Sequence, residues 1–142
     1  MQTTLGQVVE QTLPKLRAIS EADAAAKPAP GKWSKKEILG HLIDSAANNH
    51  QRFIRLQTAS ELTLPGYDQD AWVLANGYQR RPWAELVTLW AAYNMHLASV
   101  IEGIDPAAAE HIWHHPAADY KLGFLVDDYV AHHLHHLAQI GI

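Results

Sequence analysis

The chain has 142 residues, of which 48% are hydrophobic and 18% charged, a size that suits one domain and a composition too apolar for a disordered chain. It contains no Cys, which excludes a disulfide framework, Cys-based zinc or iron–sulfur sites and a protein thiol nucleophile. Eleven Lys+Arg against fifteen Asp+Glu give a net charge of −4, without the basic surplus that nucleic-acid binding exploits, so no nucleic-acid partner is expected.

In chain order the apolar residues recur at helical spacing, and no run shows the sustained alternation of strands, so the expected class is all-α. A first helix is predicted over residues 3–21 on Leu5, Val8, Val9, Leu13, Leu16 and Ile19, with Pro14 bending or splitting it. The loop KPAPGK ends it. A second helix starts at Ser34, whose side chain and Glu37 form a capping box with Trp33 and Ile38 as a hydrophobic staple, and runs to residue 57. TASELTLPGYDQD reads as a loop, with Asp68 or Asp70 capping a short helix through Trp72 and Leu74. Pro82 suits position N1 of a third long helix striped by Leu86, Leu89, Trp90, Tyr93, Leu97, Val100 and Ile101, which stops at residues 103–106. DPAAAEHIWHHPAADYKLG is expected to be an irregular connection holding one helical turn, and a fourth long helix covers residues 122–140. Four striped helices bury their apolar faces most simply as a four-helix bundle, a single domain over residues 1–142. The first residues lack a cationic segment followed by an apolar run, and no stretch nears the 18 apolar residues of a membrane span, so a cytoplasmic protein with no membrane contact is expected.

The outlier is His, with ten copies. In AHHLHHLAQI, His132 and His136 are one turn apart and fall in the apolar arc with Leu125 and Tyr129, so both point into the bundle. His135 falls toward the polar side; His133 also falls in the arc and stays open as a ligand, though it lacks a His four residues on. Two imidazoles on adjacent turns give a transition metal two ligands from one rigid element. A third is available from the polar stripe His41, Ser45, Asn48, Arg52 that borders the core face of the second helix, and three protein ligands leave a position open for water or substrate. The competing readings are imidazoles hydrogen-bonded in a core and a surface cluster that binds metal adventitiously. His111, His114 and His115 are read as exposed loop residues.

The runs PGKWSKKEILGHLIDSAANNHQRF, LPGYDQDAWV and DDYVAHHLHHLAQI resemble the DinB-like superfamily, in particular its bacillithiol-transferase-type branch, over most of the chain. The resemblance implies an up-and-down four-helix bundle, often a homodimer, and one divalent metal, nickel or zinc, held by three His. Its H-x-x-D-S pattern falls on His41, and its H-x-x-x-H before x-x-Q-I falls on His132 and His136, ahead of Gln139 and Ile140. Transfer of a low-molecular-weight thiol onto an electrophilic small molecule is the activity it favours. Metal-dependent hydrolysis and a non-catalytic metal-binding stress-response module are the alternatives. Metal-bound His usually has an outer partner on its second nitrogen, and Asp128 for His132, Gln139 for His136 and Asp44 for His41 are placed to serve. Asn48 and Arg52 are candidate pocket residues for an anionic group, and Tyr67, Gln69 and Trp72 lie in a loop long enough to cover a site. Zincin chemistry is disfavoured because H-E-x-x-H draws its base from the position held here by His133.

Overall fold

The computed structural model describes residues 3–142. Four long helices form the body: α1 (Leu5–Arg17), α3 (Lys35–Thr58), α5 (Trp83–Glu102) and α6 (Leu122–Ile140), with short helices α2 (Glu21–Ala25) and α4 (Gln69–Asn76) between them. Helix α3 is central, packed on both α5 and α6, while α1 packs on α5. Apolar residues of all four long helices fill the interior, among them Leu16, Leu39, Phe53, Leu86, Trp90 and Leu122. None of the described helices is long and apolar enough to cross a membrane.

Local chemistry sets the helix limits. At the start of α3 the Ser34 hydroxyl accepts from the Glu37 amide at 3.2 Å while the Glu37 carboxylate accepts from the Ser34 amide at 3.1 Å, the reciprocal pair of a capping box. Asp68 caps α4 through the Ala71 amide. Helix α5 starts one residue later than expected, with Pro82 at the cap and Trp83 inside. The Pro82 ring carries no acceptor for the first amides, and the Glu21 carboxylate of α2 takes that place by accepting from the Trp83 amide at 2.8 Å. Pro14 does not split α1, which runs through it to Arg17; the predicted 3–21 helix breaks instead at residues 18–20, where Ser20 caps α2.

Residues 61–63, 112–114 and 119–121 depart from the all-α expectation, while the helical turn expected in the connection is a 3₁₀ helix at Pro106–Glu110. Three strands of three residues each, β1 (Glu61–Thr63), β2 (Ile112–His114) and β3 (Asp119–Lys121), form a small sheet in that order, β1 parallel and β3 antiparallel to β2. His111, His114 and His115, expected as exposed loop residues, are half-buried parts of this layer. His114 bridges the strands: one ring nitrogen lies 2.7 Å from Asp119 and the other 3.0 Å from Glu61. The His111 ring bonds the Leu56 carbonyl near the end of α3, and the Trp113 indole donates to the Leu64 carbonyl at 2.8 Å. These ties hold the sheet against the C-terminal half of α3, where Trp113, His115 and Tyr120 become one wall of a cavity.

Candidate metal centre

His41 lies on the second turn of α3, and His132 and His136 lie one turn apart on α6. The packing of α3 on α6 brings their rings together. His41 Nε2 is 3.2 Å from His132 Nε2, His136 Nε2 is 3.1 Å from the same atom, and one nitrogen from each ring falls within 4.8 Å of the others. A ring nitrogen has one in-plane lone pair or one proton, so His132 Nε2 cannot make good hydrogen bonds to both neighbours at once. Two nitrogens each about 2.05 Å from a tetrahedral ion stand about 3.3 Å apart, and the observed spacings sit close to that value. The donor set therefore fits a divalent cation better than it fits a hydrogen-bonded core.

Burial favours neutral, ligand-ready rings at His41 and His132. His41 is 1% exposed; burial, with the neighbouring His136 and His132, pulls its pKa down to about 4. Burial and His136 lower that of His132, against the pull of Asp128 in the other direction. The second nitrogen of His136 lies 2.8 Å from the Gln139 carbonyl oxygen, an arrangement that has Nδ1–H donating and leaves Nε2 free to face the other two rings. Gln139 in turn reaches His135 with its amide nitrogen at 3.4 Å.

Asp44 does not back His41. Its Oδ1 accepts from Tyr78 at 2.7 Å and from Asn76 at 3.0 Å, its Oδ2 has no partner, and His41 Nδ1 has none either. Tyr78 can come so close because position 40 is Gly: an added Cβ would stand 2.1 Å from the Tyr78 ring. His41 is instead positioned by packing, with the Trp33 ring centroid 5.2 Å away. With its carboxylate desolvated, Asp44 has a pKa raised to about 6, the Tyr78 hydrogen bond opposing the shift. Asp128 makes no hydrogen bond to His132 but lines the same cavity. His133, left open as a ligand, is a core residue: it is fully buried, the Trp90 indole donates to its Nε2 at 2.9 Å, and burial lowers its pKa to about 3.

Two openings reach the triad. A cavity of about 400 Å³ meets His132 and is lined by Ser45, Asn49, Arg52, Tyr67, Asp128 and the sheet residues. A second cleft meets His136 beside Trp33, Gln69 and Gln139. Arg52 and Tyr67 thus line the first opening and Gln69 the second. Asn48 lines neither: its amide donates to the Asp44 carbonyl at 2.9 Å, and the adjacent Asn49 takes its place. Trp72 also lines neither, packing edge-on against Tyr67. Asn49 was detectable, since it follows Ser45 by one turn; Trp113, His115 and Tyr120 were not, because three-residue strands carry no readable period.

Residues 4–140 match the sequence profile of the DinB superfamily, and the chain belongs to that family. A protein of Bacillus mycoides (strain KBAB4), named "Putative metal-dependent hydrolase", is 26% identical over 128 residues, covering 87% of this chain and 73% of its own. One of Oceanobacillus iheyensis with the same description is 26% identical over 111 residues, covering 78% and 64%. Among solved structures, YfiT from Bacillus subtilis, described as a probable metal-dependent hydrolase with an unusual four-helix bundle topology, superposes with a TM-score of 0.83 at 21% identity over 96% of this chain and 82% of its own. That likeness establishes the four-helix-bundle fold.

Proposed function

We propose that the protein is a metal-dependent hydrolase of small molecules, in which His41, His132 and His136 hold one divalent cation, nickel or zinc. The observation that carries this reading is the convergence of three ring nitrogens, with His132 lining one cavity and His136 a second cleft. Such a cation supplies Lewis acidity and lowers the pKa of a water or thiol at its open position. Gln139 fixes the orientation of the His136 ring, and Trp33 fixes that of His41. Asp128, exposed at the cavity and one turn before His132, accepts a proton from the attacking water and returns it to the leaving group. Leu125, Tyr129 and Trp113 give that cavity an apolar wall.

The names of the relatives favour hydrolysis over the thiol transfer implied by the resemblance to bacillithiol-transferase-type proteins, and the same cavity would accept either cosubstrate. A panel of small amides and esters, with a parallel arm of low-molecular-weight thiols plus an electrophilic acceptor, separates the two. Product from the first arm that disappears in His136→Ala supports hydrolysis. Product only from the thiol arm overturns it, and activity surviving His136→Ala removes the triad from the mechanism. A metal-loaded protein inert in both arms is the non-catalytic module.

A further inference from the structure

Arg52 projects from the third turn after His41 into the cavity that meets His132. It is 7% exposed, and among the described residues no carboxylate lies within salt-bridge distance of it. A buried charge without a counter-ion is costly, yet the site is built around the cation. The guanidinium carbon lies over the Trp113 ring, 3.8 Å from its centroid, and that indole is pinned to the Leu64 carbonyl. One Nη1 donates to Asn49 at 3.2 Å, and the buried Nε has no partner. The Ser45 and Tyr67 hydroxyls line the same space. At the rim, Tyr120 and Phe124 stack with centroids 5.6 Å apart, and Phe124 is 52% exposed.

We infer that this cavity is a carboxylate-binding subsite: Arg52 takes the carboxylate of a small substrate whose apolar or aromatic body lies against Tyr120 and Phe124. The inference rests on the proposed metal-site reading for the position of the reacting bond, which would lie between Arg52 and His132. Its chemistry is that of a planar fork meeting a planar anion, a match Lys cannot reproduce. An aryl or branched-chain carboxylate linked to an amide or ester is the substrate class that satisfies both walls. Asp128 is one turn before His132 on α6 and forms no ion pair with Arg52 among the described residues, so the guanidinium is free to take the carboxylate of the substrate.

The test uses phenylacetate and its neutral isostere phenylacetamide, titrated by calorimetry into wild type, chelator-treated wild type and the variants Arg52→Gln and Arg52→Lys. Phenylacetate should bind wild type with or without chelator treatment. Phenylacetamide and Arg52→Gln should each weaken binding at least about tenfold, the value of a charge-assisted pair, with Arg52→Lys recovering only part. Equal affinity for acid and amide on wild type, or no binding of either, overturns the subsite even if Arg52→Gln fails to fold. Metal analysis of the untreated wild type separates the two claims: metal present without acid selectivity sinks the subsite alone, and acid selectivity in untreated protein that carries no metal sinks the triad reading alone.

Discussion

His41 and Asp44 sit one turn apart on α3, and burial pushes their titrations past each other, His41 down and Asp44 up. The reference imidazole value of about 6.5 would have metal affinity fall below about pH 6. With His41 near 4 and His132 also lowered, those rings stay deprotonated and able to coordinate into stronger acid than free imidazole would. For His41 the unfolded chain gains a proton below about 6.5 that the folded one refuses until about 4, so its contribution to stability falls as pH drops through that window. Asp44 has the opposite sign: between about 6 and 3.8 the folded state holds a proton the unfolded state has lost, so its contribution grows on acidification. NMR titration of the metal-free protein should give a His41 midpoint near 4; a midpoint near the free-imidazole value would contradict a desolvated triad. That His132 and His136 share an inward face was legible because helical spacing fixes which side chains lie together, whereas the choice of His41 as the third ligand came from the resemblance to the DinB-like pattern. The partner of Asp44 was not, since Tyr78 comes from a separate 3₁₀ turn at Tyr78–Arg80 that no periodicity links to α3.

At the level of elements, α3 carries both the metal candidate and the cavity cation, and its seating is controlled by Gly40. Replacing Gly40 with Ala puts a methyl group 2.1 Å from the Tyr78 ring, so the ring must shift and its hydroxyl leaves Asp44. Overpacking of this kind costs about 1–3 kcal/mol. Thermal unfolding should show a lowered Tm for Gly40→Ala, partly restored by adding Tyr78→Leu; an unchanged Tm would mean the close approach is not rigid. The capping box at Ser34 and Glu37 and the start of α6 at Leu122 were readable to the residue because each depends on adjacent side chains or on a continuous apolar arc. The β layer was not. Its strands are held by pairing between residues 61–63 and 112–114, some fifty positions apart, and by the His114 bridge to Glu61 and Asp119.

Across the whole molecule, the bundle places two elements from opposite halves of the chain side by side, and the triad exists only at that junction. The sheet then closes the flank beside it, turning a helix–helix seam into a cavity with a buried guanidinium on one side and imidazoles on the other. The fold class followed from four apolar stripes, whereas the cavity depended on contacts between segments that carry no regular pattern. The most direct test is the metal content of protein purified without nickel resin or chelator, measured by plasma mass spectrometry for wild type, His41→Ala and His132→Ala. Wild type should carry close to one divalent ion per chain, the stoichiometry of a three-His site, and both variants should lose most of it while remaining folded. A wild-type protein free of divalent metal, or variants that keep it, would contradict the account.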